Sequence, residues 1–67
     1  MPTVYRLIAR DDNTVRQFRS SYDASIFMLG RSLSAYIAIK SDDMGDRVIL
    51  WPMDPSIHAI DEALLRQ

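Results

Sequence analysis

From residue 3 to residue 10 the side chains divide between two alternating faces. Tyr5, Leu7 and Ala9 fall on one face, and Val4, Arg6, Ile8 and Arg10 on the other. A period of two is that of a strand. Asp11, Asp12 and Asn13 follow, residues that tolerate turn geometry and bond their own backbone, and residues 14–19 are rich enough in β-formers to return as a second strand. A two-residue turn at Asp12 and Asn13 would set Leu7 opposite Phe18 and Arg6 opposite Arg19; a three-residue loop would slip this register by one. The first register pairs the two large apolar residues and is the expectation.

Ser20 or Ser21 can cap a helix over residues 22–29, with Asp23 near its positive end and Gly30 as its stop. Ala24, Phe27 and Met28 share a face, with Ile26 and Leu29 beside it, which predicts a wide, mostly buried apolar arc. Alternation resumes over residues 35–41, a turn falls at 42–45 with Gly45 available for positive φ, and a fourth strand is expected over 47–53. Pro52 removes an amide donor near the end of that strand. Asp54 as N-cap and Pro55 at the first helical position announce a last helix, whose Ile57, Ile60 and Leu64 recur at helical spacing. His58, Asp61, Glu62 and Arg66 are left for its wet side. The expected fold class is α+β, in the order β-β-α-β-β-α: one domain over 1–67, a four-stranded antiparallel sheet with both helices on one face.

The 67 residues are close to the minimum that can offset the entropy of ordering a chain. No cysteine is present, so disulfides, thiolate nucleophiles and cysteine-based metal sites are excluded. A net charge of −1 gives no global field to hold nucleic acid. Seven of the eight basic residues are arginine, Lys40 being the exception, and the charge is split. Up to Arg31 five arginines face three aspartates, and the remainder carries three bases against six acids. This polarity is a candidate feature for facing a partner. Nothing resembles a targeting signal, and the apolar stretches are far short of a membrane span, so a cytoplasmic protein without membrane contact is expected.

Candidate chemistry is sparse. The single histidine, His58, has Asp61 and Glu62 three and four residues on, spacing that any solvated helix surface produces. Ser20, Ser21 and Ser56 are better explained as helix starters than as nucleophiles. Asp42, Asp43 and Asp46 crowd one turn but lack the alternation and the distant glutamate of a calcium loop. Two glycines cannot build a phosphate loop. No catalytic residue, metal or cofactor is expected, and the chain is not expected to be an enzyme.

Surface remains. With the loop at 42–45 setting the register, Ile39 faces Val48 and Ile37 faces Leu50 on one side of the second hairpin, while Tyr36 faces Trp51 and Ala38 faces Ile49 on the other. The first set is expected under the helices. The second then shares the opposite face with Val4, Ile8, Arg6, Arg10 and Arg19. Aromatic residues and arginine are enriched at interface hot spots, so Arg6, Arg10, Arg19, Tyr36 and Trp51 are the candidate partner-binding set. An Arg6–Arg19 cross-strand pair makes sense mainly beside an anion. The alternative is that Trp51 and Tyr36 pack under the C-terminal helix, the helices cover opposite faces, and the arginines lie over apolar neighbours.

In size and element order, with a strand leading into a Ser-initiated helix in "VRQFRSSYDASIFMLG" and then a hairpin, the chain resembles small inhibitor proteins of phages and mobile elements. Anti-CRISPR proteins and phage inhibitors of host RNA polymerase include such folds. The resemblance implies a bacterial setting and an inhibitor or regulator that occupies a macromolecular partner's surface, with a protein as the first expectation for that partner. A second reading is single-stranded nucleic-acid binding, with Tyr36 and Trp51 stacking and the arginines on phosphates, which the net charge disfavours. Homodimerisation through a sheet face or edge is compatible with either.

Overall fold

The computed structural model describes residues 2–67. Its elements are β1 (Val4–Ala9), β2 (Val15–Phe18), α1 (Ser21–Met28), a 3-10 turn (Leu33–Ala35), β3 (Tyr36–Asp42), β4 (Gly45–Ile49) and α2 (Ile57–Arg66). The expected order and class hold: a four-stranded antiparallel sheet, β2-β1-β3-β4, with two helices. Both helices lie on one face, because the buried core joins Tyr5, Leu7, Ala38 and Ile49 of the sheet to Ala24 and Met28 of α1 and Ile60 and Leu64 of α2.

The first hairpin has a different register from the one expected. Tyr5, not Leu7, lies opposite Phe18, while Leu7 faces Arg16 and Arg6 faces Gln17. The loop has four residues rather than two, closed by the Ala9 N–H donating to Thr14 O and the Asn13 N–H donating to Ala9 O, each at 2.9 Å. Asp12 Oδ1 accepts from the Thr14 N–H at 2.9 Å, and Asn13 takes the left-handed conformation at φ 62 that its short polar side chain tolerates. The shift is by two residues, so every side chain keeps its face, but the Arg6–Arg19 pair does not form.

The second hairpin has the expected register, Ala38 opposite Ile49 and Ile39 opposite Val48, with Gly45 at φ +100 closing the turn. Its faces are the reverse of those expected. Ala38 and Ile49 are buried under the helices, whereas Ile37 and Ile39 are only half-buried on the other side and Val48 is 63% exposed. The cause lies in the β1–β3 ladder, where Leu7 pairs with Ala38 and Tyr5 with Lys40. With Tyr5 and Leu7 in the core, the even-numbered positions of β3 must follow, and small Ala38 leaves room for the helices above it.

α1 buries Ala24 and Met28 as expected, but the rest of its arc differs. Its inward positions are Ser21, Ala24, Ser25 and Met28, while Ile26 and Leu29 are exposed. Small residues on that arc let α2 approach, and Ser21 Oγ donates to Asp61 across the two helices. Ser20 is the N-cap, its Oγ accepting from the N–H groups of Tyr22 and Asp23. Ser20→Ala is expected to cost about 1 kcal/mol, read as a shift in the urea midpoint at constant slope. The cap of α2 is Ser56 rather than Asp54, since Ser56 Oγ accepts from the Ala59 N–H, and Asp54 instead accepts from the Ser56 N–H. Pro55 therefore precedes the cap and is not the first helical residue.

Candidate functional site

The face opposite the helices is the feature most in need of explanation. Its apolar part comes from alternate positions of three strands: Val4 and Ile8 of β1, Ile37 and Ile39 of β3, and Val48 of β4. β-Branched residues suit a pleated surface, which accounts for their presence in strands. It does not account for their concentration on the side where no helix packs. Val15 of β2, opposite Ile8 and 53% exposed, extends the patch to the sheet edge.

A polar line crosses this face. Arg6 Nη1 donates to Ser41 Oγ at 2.7 Å, and Ser41 lies opposite Asp46 on β4. No carboxylate stands within 4.0 Å of Arg6 among the described residues, although Arg47 and Arg66 each find one. Four of the five guanidinium donors thus have no acceptor among the described residues and are open to one from a partner. Ser41 fixes the direction in which Arg6 presents them.

The five candidate residues are not brought onto one surface. Arg6 lies on the open sheet face, Arg10 is exposed in the β1–β2 turn with its backbone N–H on Ala35 O, and Arg19 is exposed just beyond β2. Tyr36 and Trp51 lie on the helix side, half-buried against the core. The Tyr36 ring meets Phe27 edge-on at 5.8 Å, and Trp51 Nε1–H donates to Tyr36 O at 2.9 Å. Burial of an indole with its N–H satisfied is the packing alternative for these two aromatics, although both helices share one face. Ile37, Ile39, Val48 and Leu50, expected under the helices, are instead half-buried or exposed. Their one available signal was the small Ala38 between two isoleucines, which marks the side where a helix needs space.

On α2 and in the second turn the polar groups have structural employment. His58 Nε2 lies 3.5 Å from Glu62 on the outer side of α2, and Glu62 also accepts from Arg66 at 2.8 Å. Asp42 in the second turn accepts twice from Arg47, at 2.9 Å each, and from the Met44 N–H at 2.8 Å. The Arg47 hydrogen bonds, with help from Met44, hold the Asp42 carboxyl down at about 2. A depressed carboxylate contributes stability that is present above its unfolded value, ordinarily near 3.9, and lost as pH falls toward the folded one. The Asp42 carboxyl carbon is therefore expected to titrate with a midpoint near 2 by NMR. Asp42→Asn should flatten the part of the acid-unfolding curve between about pH 4 and pH 2. A midpoint near 4 in the folded protein would remove the Arg47 tie as a feature of the molecule in solution.

No helix among the described residues is long and apolar enough to cross a membrane. Comparison of the chain with protein-family models, with curated proteins and with solved structures found no match.

Proposed function

We propose that the chain is a non-enzymatic protein-binding module, an inhibitor or regulator of the phage or mobile-element type, that works by laying its open sheet face on a protein partner. The observation that carries this reading is the uncovered layer of Val4, Ile8, Ile37, Ile39 and Val48 with Arg6 set among them. Each square ångström of apolar surface removed from water is worth about 25 cal/mol, so a face of this kind is a store of binding free energy. A contiguous apolar patch on a small domain is the usual mark of a contact site, whereas scattered exposed leucines are not.

The face also predicts the chemistry of its partner. An apolar centre with polar groups toward its margins, here Gln17 on β2 and Asp46 on β4, matches a protein interface better than a phosphate backbone. Arg6 supplies a planar fork for a carboxylate or a pair of carbonyl oxygens in the partner. Nucleic-acid binding by base stacking is not favoured on this face, since Tyr36 and Trp51 are on the other side of the sheet.

The test is capture of a partner on the immobilised chain, its identification by mass, and reconstitution with the purified partner. Binding is expected to persist when salt rises from about 50 to about 500 mM, because the centre of the contact is apolar and Arg6 is the one charge set among those residues. Binding that collapses over that range, or a reconstituted ligand that proves to be nucleic acid, would overturn the reading. Recovery of the bare chain at twice its mass, with nothing else, would replace the foreign partner with a second copy.

A further inference from the structure

A second candidate site lies on the helix side, away from the open face, where the end of α1 stands above the β1–β2 turn. It is a cleft of about 220 Å³ whose lining joins the core-packed rings of Phe27 and Tyr36 to exposed charged residues. Phe27 of α1 is its aromatic surface. The Arg31 guanidinium lies over that ring at 4.1 Å from the centroid, anchored by an Nη1–H donating to Phe27 O at 2.6 Å. The Arg16 guanidinium, from the helix-facing side of β2, approaches the same ring at 5.5 Å. Asp11 and Asp12 of the turn also line the cleft.

Two guanidinium groups and two carboxylates thus border one small space, yet no ion pair within 4.0 Å joins them among the described residues. The cleft keeps its charges separated. A simple anion would be drawn by the arginines and repelled by the aspartates, and a simple cation would meet the reverse. A ligand carrying both signs satisfies both sets. The volume is below the usual range of about 300–1,000 Å³ for drug-sized ligands, so that ligand must be small. Asp12, like Asp11, is anionic at neutral pH, and the Thr14 N–H, donating to its Oδ1 at 2.9 Å, holds its carboxyl below the usual carboxylate range.

We propose that this cleft binds a free α-amino acid, with its carboxylate toward Arg16 and Arg31, its ammonium toward Asp11 and Asp12, and its side chain against Phe27. Guanidinium groups already stacked on an aromatic ring lose little freedom when they take a carboxylate, which favours the carboxylate side of this arrangement. The site is independent of the sheet face, so either can fail without the other.

The test is a titration of the isotopically labelled chain, followed through its backbone amides, with L-leucine, L-phenylalanine and glycine. N-acetyl-L-leucine, L-leucinamide and inorganic phosphate serve as controls that carry charge of one sign only. Saturable shifts centred on Thr14, Arg16, Phe27 and Arg31 are expected with L-leucine or L-phenylalanine, and at least tenfold weaker binding with each control. Arg16→Gln and Asp11→Asn should each weaken amino-acid binding about tenfold with the thermal midpoint unchanged. Asp11, exposed in the turn, provides a variant that leaves the core untouched. Absence of saturable shifts with all three amino acids would overturn the proposal. So would equal binding of phosphate or N-acetyl-L-leucine, which makes the cleft an anion site, or of L-leucinamide, which makes it a cation site.

Discussion

Lys40→Ala is expected to lower the unfolding free energy by about 2–4 kcal/mol, a large share of the roughly 3–10 kcal/mol that a chain of this length commands. Lys40 is 7% exposed, and its ammonium donates to Leu64 O at 2.9 Å and Leu65 O at 3.1 Å in the last turn of α2. Hydrogen bonds to a charged donor are each worth about 1.5–3 kcal/mol, and a cation at a helix C-terminus adds up to about 2. The two contributions share the same carbonyls, so they overlap rather than add in full. The ammonium also lies 5.7 Å from the centre of the buried Tyr5 ring, which welcomes a cation on its face. Lys40→Met, which keeps the aliphatic stem, should recover only the packing part of the loss. Urea unfolding of the three proteins measures the split, and a methionine variant as stable as the parent would show that the carbonyls do not depend on the ammonium.

The largest expected effect on function comes from Ile39→Asp. Ile39 stands between Arg6 on one neighbouring strand and Val48 on the other, near the middle of the open face. A carboxylate there stands directly opposite Arg6, so it would take up the guanidinium donors offered to the partner, and any partner that covers the face would have to desolvate the pair. Partner affinity is expected to fall at least about a hundredfold, equivalent to about 2.7 kcal/mol. The fold should lose about 1 kcal/mol, from strand propensity and lost half-burial. Val48→Lys, at a 63% exposed edge position, provides a variant with almost no folding cost and an expected loss of about tenfold or more. Full affinity in both variants, with unfolding curves close to the parent's, would place the contact elsewhere.

Most of the architecture is legible in the periodicities. The strands, both helices and the second register follow from alternation, from Gly45 at the turn and from the spacing of Ile57, Ile60 and Leu64. Local signals fail where a decision is made over a distance. Nothing in residues 35–41 alone reveals that β3 will lie beside β1 with Ala38 against Leu7, and that pairing decides which side of the hairpin faces the helices. Bulk suggested that Ile37 and Ile39 belonged inside. The core instead takes Ala38, where space for the helices is needed, and Lys40, whose ammonium closes the end of α2. The first register fails for a shorter-range reason, because Asp12 and Asn13 support a four-residue loop as readily as a two-residue one. Arg6 is the one member of the expected binding set that both the sequence and the structure place on an apolar sheet face.

The central claim is that the open sheet face is the surface through which this chain acts. Methyl cross-saturation of the chain bound to its purified partner tests this most directly, since isoleucine, leucine and valine methyls report contact on both sides of the molecule. Saturation is expected at Val4, Ile8, Ile37, Ile39 and Val48, with none at Ile26 and Leu29 on the exposed side of α1. Saturation at Ile26 and Leu29, with the sheet-face methyls silent, would contradict it.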